Sequence, residues 1–112
     1  MTSKDTRLLS HFITRMGMYI CPCDRHGVVS FITGYEIGRG KHCCFTALLS
    51  RELAIKYKVR AYATGWPDQV ARFSDKRGID WMQGFMLIAA QVIAQALRVK
   101  EETRAIRRIG VK

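Results

Sequence analysis

The chain is 112 residues long and 48% hydrophobic, with 19 Lys+Arg against 9 Asp+Glu and a net charge of +10. That length suits one domain with a real core. The apolar content excludes intrinsic disorder, and two prolines without any repeat exclude collagen-like and low-complexity chains. A compact basic domain remains, and its charge favours an acidic partner: nucleic acid, an anionic membrane or an acidic protein.

The periodicity is helical almost throughout. Leu8, Leu9, Phe12, Ile13 and Met16 form one helical stripe. Thr2 and Asp5 have capping-box spacing at its start, and Gly17 is expected to end it in the left-handed C′ position. A short connector from Met18 to Arg25 follows. Asp24 is expected to cap a second helix, with Val28, Phe31, Ile32 and Tyr35 inward and the Gly38-Arg39-Gly40 cluster as its stop. A third helix is expected over Phe45 to Lys56. Tyr57 to Ala63 alternates like a strand but has no partner strand, so it reads as loop or helix extension. Pro67 and Asp68 suit the first turn of a fourth helix, closed by Lys76-Arg77-Gly78.

The last helix starts at a second capping box, Asp80-x-x-Gln83. From Trp81 its apolar residues cover most of the circumference, among them Phe85, Ile88, Val92 and Ile93, which places it at the centre of a bundle. Gln83, Gln91 and Gln95 are expected on its least buried strip. The run from Trp81 to Leu97 is uncharged for 17 residues, at the lower limit for a membrane span. The glutamines, Gly84 and the alanines favour a buried helix instead. Residues 98–112 hold six Lys/Arg and two Glu, and are expected to be a frayed helix or a mobile tail. The fold class is therefore all-α, a single-domain bundle of about five helices spanning 1–112.

No secretory signal pattern opens the chain, so the expected compartment is the cytoplasm. There Cys21, Cys23, Cys43 and Cys44 are expected as free thiols. C-x-C and C-C spacing fits a zinc ion less well than C-x2-C does, so no metal and no cofactor are expected. Catalysis is not expected either. No G-x-S-x-G elbow is present, and Gly34-x-x-x-Gly38-x-Gly40 matches neither a Walker nor a dinucleotide loop. The carboxylates sit mostly at helix starts or beside basic residues. Glu36, directly after Tyr35, reads as a solvated helix edge.

The stretch Gly17-Met18-Tyr19-Ile20, followed by Phe31-Ile32-Thr33-Gly34-Tyr35-Glu36, resembles small bacterial immunity proteins of polymorphic toxin and contact-dependent growth inhibition systems. The resemblance covers about residues 8–40 and departs from the family pattern at Cys21-Pro22-Cys23. It implies a helical monomer that binds and neutralises one cognate toxin domain in a 1:1 complex. The motif reads as a folding signature. Tyr19 and Tyr35 are expected to bury their rings and bond backbone groups, and Gly34 to admit a neighbouring helix.

A basic inhibitor implies an acidic patch on the toxin. The expected partner-binding residues are Lys56, Lys58, Arg60, Arg72, Lys76 and Arg77, because charges beside folded elements lose less entropy on binding than charges on a tail. The alternative is a small nucleic-acid-binding protein using Arg98, Lys100, Arg104, Arg107 and Arg108, with Tyr57 and Tyr62 stacking on bases. No nucleic-acid motif supports it. The charge is spread, +4 over residues 1–56 and +6 over 57–112.

Overall fold

In the computed structural model, which describes residues 1–110 with side chains through Arg107, the chain forms five α-helices. They are α1 (Ser3–Thr14), α2 (Arg25–Arg39), α3 (Phe45–Lys56), α4 (Trp66–Arg77) and α5 (Trp81–Gly110). Short 3-10 turns at Met16–Met18 and Gly40–His42 follow α1 and α2. The fold is an all-α single-domain bundle.

Local signals fix the helix ends. The Thr2 hydroxyl accepts from the Asp5 backbone N–H at 3.2 Å while the Asp5 carboxylate accepts from the Thr2 N–H at 3.0 Å, a reciprocal capping box. Asp24 caps α2 through the Gly27 N–H at 2.9 Å. The Asp80–Gln83 pair caps α5 in both directions, at 2.8 and 3.1 Å. Gly40 and Gly78 end α2 and α4 with φ of 59° and 67°, which a side chain would resist. Gly17 does not play that part. α1 stops at Thr14 with Arg15 as its cap, and Gly17 lies inside the following 3-10 turn. Met16, expected on the α1 stripe, is buried from that turn.

α5 is the central helix. α1, α3 and α4 all pack on it, and Phe85, Ile88, Ala89, Val92 and Ile93 are buried at their junction. It is long and apolar enough to cross a bilayer by length and composition, and 33% of its apolar stretch is buried by its neighbours. Gly84 sets the approach of α4, since a Cβ there would overlap the Ser74 side chain. Gln83 and Gln95 are exposed as expected, but Gln91 is half-buried and accepts a hydrogen bond from Tyr57 at 2.8 Å.

Residues 98–110 continue α5 as helix. Extending a formed helix avoids the cost of a new nucleus. At about 1.5 Å per residue, α5 runs most of the 49 Å long axis of the molecule. Val111 and Lys112 lie outside the described residues, as does the Arg108 side chain.

Candidate partner-binding surface

The stretch from Gly17 to Glu36 builds the frame with α1. Tyr19 and Phe31 pack around Phe12, with Phe12 and Phe31 stacked at 4.2 Å between ring centroids. The tyrosine hydroxyls bond side chains and not the expected backbone groups. Tyr19 bonds His11 Nδ1 at 2.5 Å, and Tyr35 donates to Asp5 Oδ1 at 2.5 Å. Gly34 packs against nothing: no atom lies within 4 Å of where its Cβ would sit, so the expected helix approach is not there.

Asp5 is fully buried and accepts from Thr2, Tyr35 and Arg39, whose Nε lies 2.8 Å away. Burial by itself would raise the Asp5 pKa. The hydrogen bonds from Tyr35, the Thr2 backbone and Arg39 outweigh it and hold the carboxyl well below the usual carboxylate range. Burial first, and then the bond to Asp5, push the Tyr35 hydroxyl above its ordinary range. Glu36 is not a solvated edge. It is half-buried and accepts from the Thr46 N–H at 2.8 Å and the Thr46 hydroxyl at 2.7 Å. It thereby caps α3, whose own N-cap, Cys44, supplies no side-chain bond. One motif pair thus ties α2 to both α1 and α3.

The six cations expected to bind a partner lie around the α3–α4 corner, and four of them fall into two groups. In the first, Arg77 lies over Tyr57 at 5.2 Å and over Phe73 at 5.0 Å, with Lys56 5.5 Å from the Tyr57 ring. The Tyr57 ring meets Phe73 edge-on at 4.9 Å. Its hydroxyl donates to Gln91 Oε1 at 2.8 Å, and the ring is half-buried. In the second group, Arg72 stacks on Tyr62 at 4.3 Å and donates to Asp68 at 2.8 Å and to the Arg60 carbonyl at 2.6 Å. The Arg72 hydrogen bond, followed by that of Thr64, holds the Asp68 carboxyl below its ordinary range.

These contacts sort the six by role. Arg72 has its charge answered by Asp68 and fastens the 57–65 loop to α4. Lys56 reaches half-buried Glu52 at 3.8 Å, a long and weak pair. Lys58, Arg60, Lys76 and Arg77 are exposed and make no ion pair among the described residues. Lys58 adopts φ of 59°, uncommon for a side-chain-bearing residue, as the chain turns out of α3.

The main residue that sequence reasoning overlooks is Gln69. It is fully buried and bonds the Ser50 hydroxyl, the Ser50 carbonyl and the Val59 carbonyl, at 2.5, 3.2 and 2.9 Å. Buried Val59 and this glutamine hold the corner loop in place. A polar residue inside an amphipathic helix carries no sequence mark of such a role.

Among the described residues no group of three or more His, Cys, Asp or Glu gathers as a metal site. Cys43 is buried, which raises its thiol pKa, and Cys21, Cys23 and Cys44 are exposed and unbonded to one another. Comparison with protein-family models, with curated proteins and with solved structures finds no match.

Proposed function

We propose that this chain is an immunity protein that binds a cognate bacterial toxin domain and neutralises it by covering its active site or substrate groove. The observation that carries this reading is the α3–α4 corner. Four unpaired cations stand on or beside two helices, one of them held over aromatic rings, while the buried polar groups are spent inside the fold. Such a surface suits recognition without catalysis. Its charges are partly ordered before binding, so they steer an acidic partner and lose little freedom on contact. The resemblance of residues 8–40 to immunity proteins supports the class. The expected setting is a cytoplasmic 1:1 complex with no cofactor.

The test is to look for a toxin domain encoded beside this reading frame, co-express it with the chain and measure affinity. The native chain should protect cells and bind tightly. Lys58→Glu, Arg60→Glu and Arg77→Glu combined should weaken binding about tenfold or more, mostly through slower association. Unchanged affinity and protection would remove this corner from the interface.

Arg98, Arg104 and Arg107, exposed on α5, with half-buried Lys100 among them, favour the second reading, nucleic-acid binding. A salt titration against mixed DNA and RNA separates the two. Steep salt-dependent binding at micromolar concentrations would favour the nucleic-acid reading.

A further inference from the structure

The connector between α1 and α2 is pinned on one side and open on the other. Asp24 donates its backbone N–H to the Pro22 carbonyl at 3.1 Å, a tight turn about Cys23. That carbonyl lies against the first turn of α2, 2.8 Å from where a Gly27 Cβ would sit, and the Ile20 side chain lies 3.1 Å from the same point. A side chain at Gly27 would push the turn away. The Asp24 carboxylate is spent on the Gly27 N–H at 2.9 Å. The pinned turn leaves its two thiols open: Cys21 and Cys23 are both free and exposed.

Two thiols on one turn can chelate. Cα atoms two residues apart are separated by at most about 7 Å. Two thiolate–metal bonds of about 2.3 Å each close that span once the exposed side chains rotate toward each other. The second cysteine pair cannot do this. Cys43 is buried and Cys44 exposed, so the two share no open face.

Ligand number selects the ion. Structural zinc takes four ligands, catalytic zinc three from the protein, and iron–sulfur clusters four cysteines. Among the described residues no group of three or more His, Cys, Asp or Glu gathers, although His26 borders the same open recess as Cys21. Two thiolates without a third ligand suit a soft ion of low coordination number, monovalent copper. Two thiols and one Cu(I) give a bis-thiolate complex with a single negative charge and release two protons. That charge forms beside Arg25 and the N-terminal end of α2, whose dipole favours it, on a chain of net charge +10. We propose that Cys21 and Cys23 form a two-thiolate site for monovalent copper. The inference does not rest on toxin binding and does not use the α3–α4 corner.

Titration of the reduced full chain with Cu(I), without oxygen and against a competing chelator, tests it. The readout is thiolate-to-copper charge-transfer absorption in the ultraviolet, and one copper per chain should bind. Cys21→Ser and, separately, Cys23→Ser should each lower the affinity by about 100-fold or more, with helix content by circular dichroism unchanged because both residues are exposed. Gly27→Ala keeps both thiols but displaces the turn, and should weaken binding about tenfold. Cys44→Ser should leave binding as it is. Copper held equally well by either single serine variant or by Gly27→Ala would overturn the proposal, as would its loss in Cys44→Ser. So would zinc bound as tightly as copper, or sedimentation of the loaded protein as a copper-bridged dimer.

Discussion

The α1–α2 contact and the α3–α4 corner are both rich in charged and aromatic residues, and they use them in opposite ways. At α1–α2, Asp5, Tyr35 and Arg39 close on one another, and the carboxylate at the centre has no exposed surface. At the corner, Arg77 lies on aromatic rings with its charge unanswered, and Lys58, Arg60 and Lys76 face solvent. The first arrangement spends charge on holding two helices together. The second keeps charge available at little cost to the fold, because exposed ion pairs and cation–π contacts contribute only about 0.5–1 kcal/mol each. Counting charges on a stretch of sequence does not distinguish the two. What distinguishes them is whether a counter-charge arrives from elsewhere in the chain.

The sharpest way to break this contrast is Asp5→Ala. It strands the Tyr35 hydroxyl and the Arg39 guanidinium, and should cost about 3 kcal/mol of stability, read as a lower midpoint in urea. A loss of under about 0.5 kcal/mol would show that the α1–α2 cluster is no more structural than the corner. Gly84→Ala should cost about 1–3 kcal/mol by forcing α4 off α5, again measured by urea unfolding.

Acid should tell the same story without a mutation. The folded protein holds Asp5 ionised below its ordinary range, while the unfolded chain protonates it near about pH 4. The unfolded state then binds the extra proton, so the Asp5 contribution is present above that pH and lost as pH falls below it. Tyr35 acts at the other end. Its raised pKa makes its contribution complete below about pH 10 and lost as pH rises beyond. Urea midpoints across pH should show both losses in the native chain. Tyr35→Phe should lack the alkaline one.

At the corner the signs reverse. Lys58→Glu, Arg60→Glu and Arg77→Glu together should change stability by no more than about 1 kcal/mol while weakening partner binding. Lys58→Gly should even stabilise the fold, by about 1 kcal/mol, since glycine tolerates the positive φ at that position. The smallest expected effect is Gly34→Ala, a gain of up to about 1 kcal/mol. An exposed helical glycine with nothing near it has no packing reason to remain glycine. A loss of stability there would mean that α2 needs flexibility that its contacts do not reveal.

Legibility in the sequence followed the range of each interaction. The Thr2–Asp5 box, the Asp24 cap and the Asp80–Gln83 box all operate within three residues, so spacing announces them. Tyr35 and Arg39 meet Asp5 across 30 and 34 residues, and Glu36 caps α3 across 10. A capping aspartate that is also a buried ion-pair partner looks the same on paper as one that only caps. Gln69 and Gly84 were opaque for a related reason, since each answers a surface offered by another element. The Gly17 stop failed because a glycine permits a helix end without imposing one.

The sequence by itself determined the helices, the N-terminal caps of α1, α2 and α5, the central place of the last helix and the sheer excess of positive charge. These depend on periodicity and on neighbours within a turn or so. Only the tertiary structure decided which charges are consumed and which remain. It set Asp5 and Glu36 to work between helices, laid Arg72 against Asp68, and left Lys58, Arg60, Lys76 and Arg77 facing outward. It also brought Leu48 and Ile55 beside Val92, Ala96 and Val99 to make a groove. The physical reason is that pairing, burial and concavity depend on distances between segments, and packing around α5 fixes those distances.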